Sequence, residues 1–297
     1  MSDRSIPDRK IFRESRRVRR SLLFVPAARP DRFEKAVATG ADAVCVDLED
    51  GVSFSQKDEA RHNAIALLSG RSSGQTEVIV RINEPESELG QKDLDALLAS
   101  GARPDALMLP KVGSAEVIQA VEQQLRTKLV PIPLVVQIET ARGLTAVDRI
   151  AVASPNIAVL FFGAVDLSAE LGCSIEWDAL LYARSKVVAA AALVGMDVMD
   201  TPFMDVSASS QLADEARAVQ RLGFTGKAAI HPSQVPIIQG AFSPTAEAVE
   251  WARRIIAAYE ANDGGVLLVD GKLVERPVVA SAERIIAVAT AMGHAGL

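Results

Sequence analysis

Eight short aliphatic runs constrain this chain more than any other feature of its sequence. They are Leu22–Val25, Ala43–Val46, Val78–Val80, Ala106–Leu109, Leu134–Ile138, Ala158–Phe162, Met196–Met199 and Ala228–Ile230. Most are continuously apolar rather than alternating, the pattern of strands buried on both faces in a parallel sheet. Between them lie segments with apolar residues at helical spacing, among them Ser114–Arg126, Trp177–Leu193 and Val206–Leu222. Eight strand–helix units in roughly 220 residues match a (β/α)₈ barrel, which typically takes ~250. An open doubly wound sheet is the competing architecture, but it usually carries a Gly-rich turn after its first strand. Here that turn reads Pro26-Ala27-Ala28-Arg29-Pro30, without glycine.

The pattern changes after the eighth unit. Thr245–Asn262 predicts a long helix, broken at Gly264-Gly265. Val266–Val269 and Lys272–Val274, joined by Asp270-Gly271, predict a short hairpin, and a last helix follows from about Ser281 to Met292. The expected organisation is a basic tail over 1–19, a barrel over 20–244 and a C-terminal extension over 245–297 that is too small to fold alone.

Of the 297 residues 49% are hydrophobic and only 4% aromatic, so aliphatic side chains must build the core. The net charge of −6 is uneven: the first twenty residues carry +5 and the remainder −11. A solvated tail is the expected reading of that basic segment. A nucleic-acid partner is not expected, because the acidic body lacks a clustered basic face. Cys45 and Cys173 show neither metal spacing nor a disulfide framework, and Cys45 reads as a core thiol. No run approaches the ~20 apolar residues of a membrane span, and no signal peptide is evident. No membrane partner is expected, and a cytoplasmic location is.

In such a barrel chemistry belongs at the C-terminal ends of the strands. There the sequence places Asp47-Leu48-Glu49-Asp50, Arg81-Ile82-Asn83, Pro110-Lys111, Glu139-Thr140, Gly163-Ala164-Val165-Asp166, Asp200-Thr201 and His231-Pro232. Carboxylates at the ends of buried strands are costly unless paired or coordinated. Mg²⁺ answers that need with one or two carboxylates and room for substrate oxygens. Asp47 and Asp50 read equally well as members of a functional acidic rim or as structural residues, capping helices or paired with Arg81 and Lys111; Asp166 also has a capping alternative. Glu139 caps poorly. His231 reads chiefly as a hydrogen-bonded structural residue, and secondarily as a ligand contact. His62 and His294 read as surface, Trp177 and Trp251 as packing.

Taken jointly, several motifs are specific. Arg20–Pro26, Gly40–Ala43 and Val46–Val52 resemble the opening of citrate lyase β-subunit-like proteins of the HpcH/HpaI aldolase superfamily, which includes malyl-CoA and citramalyl-CoA lyases. The resemblance continues through Val80–Asn83, Leu109–Val112, Gln137–Ala141, Phe162–Leu167 and Ile230–Gln234. It implies that Glu139 and Asp166 ligate Mg²⁺ (or Mn²⁺) and that Arg81 binds the carbonyl or enolate oxygen. Substrate contacts are expected from Arg20, Arg81, Glu139 and His231. It further implies cleavage or formation of a C–C bond in an acyl-CoA with a small 2-keto acid, and a homotrimer or homohexamer whose C-terminal lid comes from a neighbouring subunit.

Two departures stand out. Ala27 replaces a glycine usual in the family's first loop. In the lid, Gly271-Lys272-Leu273-Val274-Glu275-Arg276-Pro277 carries Glu275 where the family has a catalytic aspartate. The expected reaction is a Mg²⁺-dependent lyase reaction on a 3-hydroxyacyl-CoA through a thioester enolate, with Glu275 moving the proton at carbon. The rivals are a metal-dependent aldolase on free 2-keto acids, an acyl-CoA thioesterase and a non-catalytic ligand-binding paralogue.

Overall fold

Strands that are apolar on both faces have to be covered on both, and the chain achieves this by closing the sheet on itself. The computed structural model describes residues 17–71, 74, 76–126, 131–262 and 265–292. Eight parallel strands, β1 Ser21–Pro26, β2 Ala43–Asp47, β3 Glu77–Arg81, β4 Ala106–Leu109, β5 Leu134–Ile138, β6 Ile157–Phe162, β7 Asp197–Asp200 and β8 Gly226–Ala229, pair in chain order, and β8 returns to β1. The expected barrel is therefore what forms. Inward-facing Leu22, Cys45, Ile79, Met108, Val135, Phe161 and Met199 fill its interior. Cys45 is buried, as expected.

The helices between strands are α1 Phe33–Val37, α2 Lys57–Gly70, α3 Glu88–Ser100, α4 Ala115–Arg126, α5 Ala141–Ala151, α6 Ala164–Leu171, α7 Trp177–Ala192 and α8 Ser209–Leu222. α9 Gln234–Phe242 follows β8. Their starts fix the rim. Thr140 caps α5 by accepting a hydrogen bond from Gly143 N at 3.0 Å, so the helix begins one residue after Glu139. Gly163 holds the N-cap position of α6, which puts Asp166 in that helix's first turn instead of in a capping role.

Two compact units divide the chain, one spanning Arg19–Ala241 and one beginning at Phe242. In the second, α10 Ala246–Ala261, the hairpin β9 Leu267–Val269 with β10 Lys272–Val274, and α11 Arg276–Ala291 pack around Ala252, Ile255, Val274, Val279 and Ala282. Trp251 borders this cluster. Asp270 and Gly271 both have positive φ, 50° and 73°, as a two-residue hairpin of the I′ kind requires. The last helix starts at Arg276, five residues earlier than predicted, because Pro277 sits in its first turn, where a missing N–H costs nothing.

The basic tail lies largely outside the described residues, as does His294. Its last member does not behave as a tail: Arg19 is buried, with Nε 2.6 Å and Nη2 2.8 Å from the Glu77 carboxylate and Nη1 3.3 Å from Asp197. Among the described residues no helix is long and apolar enough to cross a membrane.

Candidate active site

The C-terminal rim opens into a cleft of about 800 Å³, lined by Arg81, Gln137, Glu139, Gly163, Asp166 and His231 among others. Its floor is aromatic. Phe24 meets Phe161 edge to face at 6.0 Å, and the Arg81 guanidinium lies over the Phe24 ring at 4.8 Å.

Strand alternation sends Asp47, Arg81, Gln137 and Glu139 inward, since each shares parity with an interior residue of its strand. The register sets Asp47 opposite Arg81, and Arg81 Nε and Nη2 reach the two Asp47 oxygens at 2.7 Å each. Of the two readings left open for Asp47, this favours the structural one, in its ion-pair form. Asp47 also accepts from Glu49 N at 2.9 Å and Gly51 N at 2.8 Å, bracing its loop. Arg81 Nη1 lies 2.8 Å from Glu49 Oε2. Lys57 tightens the same loop by donating to Leu48 O, Glu49 O and Asn83 Oδ1, each at 2.7 Å.

Glu139 has no such bidentate partner. It is 2% exposed, its Oε1 accepts from Lys111 N at 2.9 Å and its Oε2 from the Gln137 amide. Burial, then the charges of Glu49 and Asp166, push its carboxyl up to about 8 against the pull of Arg81 and the Lys111 amide. Gly163 makes room for it: a Cβ there would come within 2.5 Å of both Glu139 Cβ and Oε2. Burial likewise raises the Glu49 carboxyl, with Arg81 and Lys111 opposing. Burial works against the Lys111 ammonium too, but its hydrogen bond to Glu49 and the charges of Glu49, Asp50 and Asp166 hold it above the ordinary lysine value.

Oxygens of Glu49, Glu139 and Asp166 all lie within 4.8 Å of one another. Asp166 Oδ2 is buried without a hydrogen-bond partner, 3.5 Å from Lys111 Nζ. An orphaned carboxylate oxygen beside two other carboxyls, both held above their ordinary pKa by burial, fits a hard divalent cation. The expected pair Glu139 and Asp166 is thus brought together, and Glu49 joins it. The signal for Glu49 was present, since it continues the alternation from Asp47.

The other expected site residues separate. His231 lines the cleft, exposed, with Nδ1 2.8 Å from Ser233 Oγ. Arg20 corrects the expectation: it precedes β1, at the opposite end of the barrel from the cleft. There its Nε and Nη2 bind Asp42 at 3.0 and 2.7 Å. Six strand residues at ~3.3 Å each separate it from the rim, so it cannot touch a substrate held there. Glu275 is exposed and immediately precedes α11 in the second unit. Sequence reasoning also passed over Arg29, Arg32 and Lys35 at the cleft mouth.

A closed parallel barrel with a carboxylate trio and a buried arginine at its C-terminal mouth defines a barrel enzyme built for oxygen-ligated metal chemistry. The chain belongs to the HpcH/HpaI aldolase/citrate lyase family, whose pattern it matches over residues 20–232. It is 32% identical to the mitochondrial citramalyl-CoA lyase of Homo sapiens over 293 residues, covering 92% of this chain and 86% of that protein. It is 34% identical to the citrate lyase subunit beta of Escherichia coli, covering 93% and 95%. The CitE protein of Mycobacterium tuberculosis, solved in complex with magnesium, acetoacetate and coenzyme A, superposes with a TM-score of 0.77 at 34% identity, covering 93% and 99%.

Proposed function

We propose that this chain is a Mg²⁺-dependent carbon–carbon lyase that cleaves a 3-hydroxyacyl-CoA of the malyl-CoA or citramalyl-CoA kind through a thioester enolate. The observation that carries the reading is the convergence of Glu49, Glu139 and Asp166 beside Arg81 in one wide cleft. Relatives named citramalyl-CoA lyase, L-malyl-CoA/β-methylmalyl-CoA lyase and citrate lyase subunit beta support it.

Glu139 and Asp166 would hold Mg²⁺ (or Mn²⁺), which when bound supplies a Lewis acid for the oxygens of the 2-keto acid half. Arg81 neutralises the enolate oxygen of the thioester half. Asp47 grips it on two nitrogens before substrate arrives, so its charge is preorganised. Such a donor is worth on the order of 3 kcal/mol in the transition state. Arg29, Arg32 and Lys35 at the cleft mouth suit the phosphates of coenzyme A, and His231 the substrate's polar edge. Glu275 protonates the enolate carbon, contributed by the C-terminal unit of a neighbouring copy in a homotrimer or homohexamer.

The test is a panel of acyl-CoA thioesters with Mg²⁺, assayed for keto-acid release. Keto acid formed from a malyl- or citramalyl-type thioester, and abolished by chelator, is the expected outcome. Release of free CoA without keto acid would replace lyase by thioesterase.

A further inference from the structure

Lys111 stands apart within the site. Among the described residues only it and Asp270 combine a side chain with positive φ, 53° and 50° respectively. Asp270 is explained by its hairpin turn. Lysine is not among the residues enriched there, so the conformation calls for a local reason. The reason is visible in its contacts. The left-handed backbone lets the Lys111 N–H donate to Glu139 Oε1 at 2.9 Å while its ammonium bonds Glu49 Oε1 and lies 3.5 Å from Asp166 Oδ2. One residue therefore touches all three carboxylates of the cluster.

The three contacts are unequal. Glu49 is held from two sides, by the Lys111 ammonium and by Arg81 Nη1 at 2.8 Å. Asp166 is held only loosely, its Oδ2 3.5 Å from the Lys111 ammonium; that oxygen, like Glu49 Oε2, lacks a hydrogen-bond partner, but Glu49 has two close cations and Asp166 none nearer than this. Lys111 meets Glu139 only through its neutral main-chain N–H, a contact that does not compete with a cation for the carboxylate's charge. Mg²⁺ usually takes one or two carboxylates and leaves its other positions to water and substrate; a third carboxylate would fill one of those positions.

We infer that Lys111 is a positioning residue serving as the resident cation of this carboxylate set: it keeps Glu49 out of the metal's ligand shell and releases only Asp166 when the ion binds, so that two carboxylates hold the metal and positions stay open for substrate. The inference rests on the metal reading proposed above.

The experiment is calorimetric titration of the full chain with MgCl₂, without substrate. Lys111→Met removes the competing charge and leaves Glu49 Oε1 open to the ion with only Arg81 still on Oε2, so its Kd for Mg²⁺ falls about tenfold or more below that of the parent chain. Lys111→Arg keeps the charge and stays within about threefold of the parent. Adding Glu49→Gln to Lys111→Met returns the Kd to about the parent value, because the extra ligand is gone again. Lys111→Gln, neutral and of similar length, gives the same reading should the methionine variant fail to fold. Unchanged or weaker binding in the neutral variants overturns the inference while leaving the metal reading in place. A parent chain that takes up no Mg²⁺ removes the metal reading, and this inference with it.

Discussion

The two ends of the barrel use the same residue types to opposite effect. At the N-terminal end Arg19 is clasped by Glu77 and Asp197, and Arg20 by Asp42, so each acid there meets a guanidinium. At the C-terminal end Glu49, Glu139 and Asp166 crowd within 4.8 Å, and Asp166 Oδ2 is left without a hydrogen bond. The closed end is built for stability. The other end keeps electrostatic strain that a cation and an anionic substrate can relieve. A third charged cluster, Arg184, Asp200, Lys227 and Glu215, lies behind β7 and β8, with Lys227 Nζ 2.6 Å from Asp200 and 2.7 Å from Glu215. It follows the stabilising pattern of the closed end.

The contrast breaks most sharply at the open end. Glu139→Ala or Asp166→Ala is expected to lower Mg²⁺-dependent turnover by ~10³-fold or more while the far-ultraviolet circular dichroism and melting temperature hold or rise, because a strained carboxyl has been removed. Retained activity in either variant would dissolve the distinction between the ends. Glu275→Gln comes next: a loss of ~10²-fold or more in kcat with the dissociation constant for coenzyme A little changed, read by steady-state kinetics beside a binding titration. Equal losses in both would make Glu275 structural.

The pH response sharpens the same contrast. The Glu139 carboxyl is raised to about 8 in the folded chain, above its ordinary value. The folded state therefore holds a proton that the unfolded chain has released, and stability of the metal-free protein is lost as pH rises from the ordinary carboxyl range through about 8. Metal must displace that proton, so Mg²⁺ affinity is expected to strengthen by up to about tenfold per pH unit below 8 and to level off above it. Calorimetry from pH 6 to 9 checks the slope, and Glu139→Gln should flatten the metal-free melting profile.

The smallest effects on turnover belong to the closed end. Arg19→Met leaves Glu77 buried and unpaired and is expected to lower unfolding stability by about 3 kcal/mol in a denaturant titration. Arg20→Met exposes a weaker dependence. Neither should move kcat or KM for an acyl-CoA by more than about twofold, since both side chains lie a strand's length from the cleft. A raised KM in Arg20→Met would return that arginine to the substrate.

The barrel was legible in the amino-acid sequence because buried parallel strands must be largely apolar on both faces, leaving eight runs of which only two, with Gln137 and Asp197, carry a polar residue. The rim was legible for a related reason: an acid following such a run sits where a barrel opens. Glu139 and Asp166 could be named from that position together with the family motifs. Position also separated Arg81, which ends a strand, from Arg20, which precedes one, and the placement of Arg20 follows that geometry, not the motif.

Only the tertiary structure decided which carboxylates are spoken for. Register between β2 and β3 hands Asp47 to Arg81, while curvature of the closed sheet carries Glu49 across to Glu139 and Asp166, ends of strands far apart in the chain. The left-handed turn of Lys111, which lets one residue meet all three acids, leaves no mark in its residue type. Pairing of charges is a matter of a few ångströms across the barrel mouth, and spacing along a chain encodes which end of a strand a residue occupies, not how near it comes to residues on other strands.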